Sequence, residues 1–348
     1  MVSRRGAGEG AVTAAIECLD VFGRLDTALV AGETSGRLAA ALRARDISVN
    51  EWLLTAGGPA GVTPSAWPGP QRPDAAFIRM PKAKDVLDMM LHAAAERLPP
   101  GAHVVLFGDN DQGVKSAEKR LSAIAGGLTT LAAKRHARVI GGRRLRTLPE
   151  PKGKLADWRR ETQIRIGGQL RSWASYPGAF AKGGLDDGTR LLMEHLPDVS
   201  DGARVLDFAA GTGVIAAAVL DSAPGTNVTM LETDLLALEA AGENVAGATA
   251  VLGHDLRTVD GAVFDVIVSN PPIHDGVMES RAVLDRLIAE APKALRAGGE
   301  LRIVVQRRIG VMKEFKAAFG ACDVIADDGR FTVLSARKAG SHHRSRKR

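Results

Sequence analysis

The chain has 348 residues, 45% of them hydrophobic and 25% charged, which is enough for about two globular domains with real cores. Its two cysteines, Cys18 and Cys322, lie far apart, against a zinc site or a disulfide framework. No apolar run approaches the roughly 18 residues of a membrane span, so the expectation is a cytoplasmic, metal-free protein without a signal segment.

The net charge of +6 is concentrated. Residues 134–171 carry twelve Lys and Arg against three acids, and the last twelve residues carry six against none. Clustering of this kind suits contact with a polyanion such as RNA; a solvated linker and tail is the alternative.

In the N-terminal half, "ALVAGETSGRLAAAL" (28–42) predicts strand, loop and helix, and "AAFIRMPK" (75–82) predicts a strand. "LPPGAHVVLFGDNDQGVKSAEKRL" (98–121) reads as helix end, glycine turn, strand, loop and helix. A basic stretch with Pro and Gly around 141–156 reads as a join.

Beyond it, strands are expected at "ARVLDF" (203–208), "NVTMLE" (227–232), "ATAVLG" (248–253), "FDVIVSN" (264–270) and "ELRIVVQ" (300–306). Helices are expected from Val214, over 235–245 and 279–296, and near 311–319. This alternation implies βαβ units and a parallel sheet. "CDVIADDGRFTVLSA" (322–336) closes it with a hairpin through Asp327, Asp328 and Gly329, so the last strand runs antiparallel.

The two halves share one grammar and imply an internal duplication. Val30 stands where Asp207 is, Thr34 where Gly211 is, and Met80 where Asn270 is, so the first copy reads as a scaffold stripped of its polar groups. The expected fold is α/β: two tandem Rossmann-like domains of the class I methyltransferase pattern, the first degenerate. The second is a doubly wound seven-stranded sheet with an antiparallel last strand. Expected bounds are 1–155, 156–338 and a basic tail, 339–348.

"LDFAAGTG" (206–213) follows a strand and opens a helix. Gly211 and Gly213 permit close backbone approach, and the helix start offers free N–H groups. Such a loop accepts a dinucleotide pyrophosphate or the amino-acid end of S-adenosylmethionine, and Asp207 beside it favours a cationic ligand. Glu232 ends the next strand, where a carboxylate can hold ribose hydroxyls. Asp234 competes for that task but reads better as a helix N-cap. Asp255, after the third strand, is placed to accept from an adenine amine. Each stands at a strand's carboxyl end, where open α/β sheets bind ligands.

Asn270 ends the fourth strand at the same edge, and Pro271 and Pro272 stop the ladder there. An amide oxygen with the Pro271 carbonyl makes two acceptors, matched to a planar NH₂ group. Two fixed acceptors can hold an exocyclic base amine in line with a methyl donor and stabilise positive charge developing on nitrogen.

With "NPPIHDG" (270–276) the chain resembles the bacterial ribosomal RNA guanine-N2 methyltransferases, and among them the small-subunit enzymes. The resemblance extends to "MPKAKD", "GDNDQGVKSAEKRL", "YPGAFAKGGLDDGTRLL", "VLDFAAGTG", "GGELRIV" and "GRFTV". It implies methyl transfer from S-adenosylmethionine to a guanine amine in small-subunit (16S) ribosomal RNA. It implies cofactor contact by Asp207, Gly211, Gly213, Glu232 and Asp255, with Phe180 and Asp186 close by. It also implies target-amine contact by Asn270 and Pro271, and a base clamp of Pro272 and Ile273, with Ile273 in place of the usual aromatic; His274 either adds to the clamp or, the better reading, caps the loop.

The basic segment, including Arg143, Arg144, Arg159 and Arg160, is expected to meet RNA backbone, the chain acting as a monomer on the small ribosomal subunit. Two other readings stand beside this one. One is a non-catalytic RNA-binding or ribosome-assembly protein; the other is a methyltransferase for a large-subunit RNA guanine, a DNA adenine or a protein glutamine.

Overall fold

The computed structural model describes residues 9–179, 185–271 and 278–340. The chain divides into two compact units, Met1–Arg159 and Arg160–Arg348.

The first unit contains α1 (Glu9–Ile16), β1 (Thr27–Ala31), α2 (Arg37–Arg43), β2 (Ser48–Trp52), β3 (Ala75–Arg79), α3 (Lys84–Arg97), β4 (His103–Asp109), α4 (Glu118–Leu121), β5 (Ala125–Lys134) and β6 (Ala137–Arg144). Among the described residues its sheet has the order β2-β1-β3-β4-β6-β5. The first four strands pair in parallel and β6 runs antiparallel to both neighbours.

The carboxyl edge of this sheet is filled by the chain itself. Glu33, after β1, is buried, and its carboxylate accepts from the backbone N–H of Ser35 at 2.6 Å and Leu38 at 3.3 Å, an anion on the first turn of α2. Met80 is buried at the end of β3, and the Trp52 indole donates to the Ser65 carbonyl at 2.8 Å. The first copy has therefore not lost every polar group. Glu33 remains, but it is buried against the backbone of the loop and helix that follow it.

The second unit opens with a hairpin, β7 (Arg160–Ile166) and β8 (Gln169–Ser175). It continues with α5 (Asp187–Met193), β9 (Arg204–Phe208), α6 (Val214–Ser222), β10 (Asn227–Glu232), α7 (Leu235–Asn244), β11 (Thr249–Leu252), β12 (Phe264–Ser269), α8 (Met278–Ala294), β13 (Leu295–Gln306), α9 (Met312–Phe319), β14 (Asp323–Asp327) and β15 (Phe331–Arg337). The seven-stranded order is β11-β10-β9-β12-β13-β15-β14. Only β15 opposes the rest, and it lies between β13 and β14. Without β11, this order matches the first sheet strand for strand, as a duplication requires.

β9 and β12 are buried on both faces, as central parallel strands are. Val205, Val266 and Val268 pack with α6 on one face, while Leu206, Phe208 and Ile267 pack with α8 and α9 on the other. Period-two alternation then sends Asp207 to the α6 face.

The basic segment is paired strand at its two ends, with irregular chain over 145–154 between them. Arg143 and Arg144 close β6, Arg160 opens β7, and the units part at 159/160 and not at 155/156. Charged side chains mask the strand pattern. Gly167 and Gly168 form a two-residue turn, both with positive φ (55° and 81°), between Ile166 and its partner Gln169. Such a turn matches the natural twist of a hairpin.

β8 is stitched to α7 and to the loop before α6. The Trp173 indole donates to Thr212 Oγ1 at 2.9 Å, and the Asn244 amide bridges Ala174 and the Thr212 carbonyl. Replacing Gly168, where an added Cβ meets nothing within 4 Å, isolates the backbone cost of positive φ. Gly168→Val should lower stability by about 1–2 kcal/mol, a fall of about 2–8 °C in the melting transition of this unit. An unchanged melting temperature would contradict the turn.

Candidate active site

The carboxyl edge of the second sheet gathers the residues that the sequence singles out. After β9 the chain takes three left-handed residues, Ala209 (φ 59°), Gly211 (φ 56°) and Gly213 (φ 88°). Alanine at such a φ costs roughly 1–2 kcal/mol, held here by the contacts that fix the loop. Gly213 has no room for a side chain: a Cβ would lie 2.7 Å from Val245 Cγ2 and 3.2 Å from Met230 Sδ. At Gly211 an added Cβ would meet no atom within 4 Å, so that face of the loop is open.

Glu232, at the end of β10, fixes the loop. One of its oxygens accepts from the Gly211 N–H at 2.8 Å; the other accepts from Thr233 at 2.7 Å and Asp234 at 3.0 Å. Asp234 is an N-cap, as its alternative reading has it, accepting from Leu236 at 2.8 Å and Ala237 at 3.3 Å. Burial, reinforced by the charge of Glu232, pushes its carboxyl up to about 6.

Asp207 is wholly buried. Its Oδ2 accepts from the Ala216 N–H at 3.0 Å, inside the first turn of α6, while Oδ1 has no hydrogen-bond partner among the described residues. Burial pushes its carboxyl up to about 8, the Ala216 N–H pulls down, and Glu232 adds to the rise. An unsatisfied buried carboxylate oxygen behind an open glycine loop is a fit for a cationic ligand, directly or through a water.

Asp255 caps the turn after β11 and accepts from the N–H and guanidinium of Arg257. His254 lies 3.4 Å and Arg286 3.6 Å from the same carboxylate. Hydrogen bonding to Arg257 leads the effects that hold its carboxyl below the ordinary range. An adenine amine would therefore share an oxygen with these groups, and Asp255 has a structural task of its own.

Asn270 follows β12, whose end is tied to β9 by the Ser269 hydroxyl donating to the Phe208 carbonyl at 2.6 Å. Its Nδ2 donates to Thr189 Oγ1 at 2.8 Å and lies 3.3 Å from each oxygen of Asp186. Pro271 is buried beside it. The resemblance puts Asp186 near the cofactor. In the structure its carboxylate accepts from Gly188 and Thr189, capping α5, and from Asn270.

Phe180, Pro272, Ile273 and His274 lie outside the described residues. Of the basic set, Arg144 donates to the carbonyls of Ala95, Leu145 and Arg146, so its guanidinium braces the end of β6. Arg143 donates to the Gly101 carbonyl at 3.2 Å, and Arg159 and Arg160 are exposed.

Sequence reasoning missed Thr189 and the Trp173–Thr212–Asn244 brace. The Asp186-x-x-Thr189 spacing ahead of an apolar run was an available capping signal. Trp173 and Asn244 meet Thr212 only through tertiary structure.

The raised carboxyl of Asp207 fixes the sign of a pH effect. The unfolded chain releases this proton near 3.8 and the folded chain near 8, so the group's stabilising contribution is complete below about pH 4 and is lost as pH rises to about 8. Asp207→Asn should match the parent's stability near pH 4 and exceed it by about 1–3 kcal/mol at pH 8, in urea denaturation at both pH values. Equal stability at both would contradict the buried, protonated carboxyl.

Comparison with known proteins agrees with this geometry. Residues 172–335 match the family model "Methyltransferase small domain", and residues 24–161 match "Methyltransferase small domain N-terminal". Ribosomal RNA small subunit methyltransferase C of Shewanella loihica is 30% identical over 78% of this chain and 79% of its own length. The protein of that name from Hahella chejuensis is 31% identical over 84% and 83%. A solved T. thermophilus 16S rRNA N2 methyltransferase, in complex with AdoMet and guanosine, superposes with a TM-score of 0.83 at 22% identity, covering 95% of this chain and 93% of that one; this shows the shared fold. By its two matched domains and its full-length relatives, the chain belongs to the ribosomal RNA small subunit methyltransferase C family.

Proposed function

We propose that the second unit transfers a methyl group from S-adenosylmethionine to the exocyclic N2 amine of a guanine in small-subunit (16S) ribosomal RNA. One observation carries this reading. Both N–H groups of the Asn270 amide face acceptors on Asp186 and Thr189, which leaves Oδ1 to accept from a substrate. The names of the curated relatives support the choice of small-subunit RNA.

S-adenosylmethionine, when bound, supplies an electrophilic methyl group on a sulfonium. Gly211 lets the backbone come close to it, Gly213 lets the loop pack on Val245 and Met230 behind it, Glu232 offers oxygens to ribose hydroxyls, and the buried Asp207 faces its ammonium end. Asp255 shapes the turn at its adenine end.

Asn270 Oδ1 and the Pro271 carbonyl accept the two N–H groups of the guanine amine. They hold its nitrogen in line and stabilise the positive charge that grows there as the new N–C bond forms. No strong base is required before attack, because the amine proton leaves after the positive charge has formed. Pro272 and Ile273 complete the clamp on an unpaired or flipped base.

The first unit, whose sheet edge is filled by its own residues, acts as a scaffold for RNA, with its Arg143 and Arg159, and Arg160 at the start of the second unit, meeting phosphates. These contacts set register and do not read sequence. The chain works as a cytoplasmic monomer on the small subunit. No described helix is long and apolar enough to cross a membrane.

The test uses methyl-labelled S-adenosylmethionine and small and large ribosomal subunits from a strain lacking this gene, followed by nucleoside digestion. Label is expected in N2-methylguanosine from the small subunit, with kcat reduced about 10²–10³-fold in Asn270→Ala. Label in another nucleoside or in protein would overturn the guanine assignment; no label on any substrate would overturn the enzyme reading.

A further inference from the structure

Resting on the reading of Asn270 as the acceptor of the target amine, we infer that Asp186 and Thr189 are positioning residues. They set the Asn270 amide so that its oxygen, and not its nitrogen, faces the substrate, and they act through Asn270 without touching the cofactor.

Proton inventory gives the direction. A threonine hydroxyl has one proton, and that of Thr189 is donated to Asp186 Oδ2. Toward Asn270 the hydroxyl can then only accept. Asp186 too serves only as an acceptor, from Gly188, Thr189 and Asn270.

Asn270 Nδ2 lies 2.8 Å from Thr189 Oγ1 and 3.3 Å from both Asp186 oxygens, so both of its N–H groups have acceptors. The flipped amide would set its oxygen against a carboxylate and a hydroxyl lone pair. Among the described residues no donor reaches Asn270 Oδ1. The chain of donors from amide to hydroxyl to carboxylate also polarises the amide and makes Oδ1 a stronger acceptor.

α5, which carries this pair, is held at several points. Leu192 is wholly buried in the core, and Arg302 Nη1 on β13 donates to the His195 carbonyl at 2.6 Å, just past the helix. Arg330 Nη1 lies 2.9 Å from Asp187 Oδ2 in the first turn. Gly188 sits so close to Phe331 that an added Cβ would lie 3.0 Å from its ring. Asp186 is thus placed by the sheet, as a group that must aim another side chain has to be.

The experiment measures kcat and KM on small subunits from the strain lacking this gene, together with the Kd for S-adenosylmethionine and the melting temperature. Asp186→Asn keeps an N-cap acceptor for α5 but can present an NH₂ to Asn270, which turns the amide over. It should lower kcat about 100-fold and leave the cofactor Kd within about two-fold.

Thr189→Val should lower kcat about 10-fold, by loss of one hydrogen bond to the amide, and Thr189→Ser, which restores the hydroxyl, should recover it. Asp186→Asn added to Asn270→Ala should cost nothing further, because residues acting through one group are not additive.

A weakened cofactor Kd with kcat intact at saturation would make Asp186 a cofactor contact and overturn the inference. Multiplying losses in the double variant would overturn it as well. Parental kcat in Asp186→Asn, with Asn270→Ala impaired, would overturn the positioning role alone. Full activity in Asn270→Ala would remove the reading on which it rests.

Discussion

An amide side chain can face its partner with a donor or with an acceptor, and methyl transfer to an amine tolerates only the second. At Asn270 that choice is made by three acceptor oxygens, two of Asp186 and one of Thr189, gathered around the amide nitrogen. A half-buried amide whose donors are satisfied resists being turned, because turning would set oxygen against oxygen and leave donors unmet. The Pro-Pro sequence adds a second constraint by ending β12 where Asn270 stands. Acceptor chemistry and strand termination thus coincide at one sheet edge.

The same edge assembles the cofactor loop from separate strands. Glu232 of β10 holds the backbone of Gly211, and Ser269 of β12 bonds the end of β9. The Trp173 indole of β8 reaches Thr212. These contacts hold left-handed backbone at Ala209, Gly211 and Gly213, which an isolated segment would not adopt cheaply. Asp207, buried with one oxygen unsatisfied, stores an electrostatic cost that a cationic ligand relieves. Stability and ligand affinity therefore pull that residue in opposite directions, as at many binding sites.

Much of this is legible in the sequence because parallel βαβ grammar is strongly periodic. The strands at 203–208, 227–232 and 264–270 and the final hairpin fall where the apolar runs and the Asp-Asp-Gly turn predict. The candidate set is readable because each member ends a strand. Side-chain partners are less legible. Asp186 carries a capping pattern, but its bond to Asn270 spans 84 residues of sequence and is visible only once α5 packs on β13 and β15. The basic stretch misleads for a related reason: charge is conspicuous in sequence, whereas the pairing of "ARVIGGRR" and "RETQIRI" depends on partner strands. Arg144 has the sequence character of an RNA contact, yet its guanidinium sits among backbone carbonyls.

The orientation of the Asn270 amide is a matter of geometry that a structure of the complex reads out. The intact chain would be crystallised with S-adenosylhomocysteine and guanosine, and the contacts of the Asn270 amide would be measured. The account predicts the guanine N2 amine within about 2.7–3.2 Å of Asn270 Oδ1, with Nδ2 still on Thr189 and Asp186. A guanine amine held elsewhere, or an Asn270 amide turned to present its nitrogen, would contradict it.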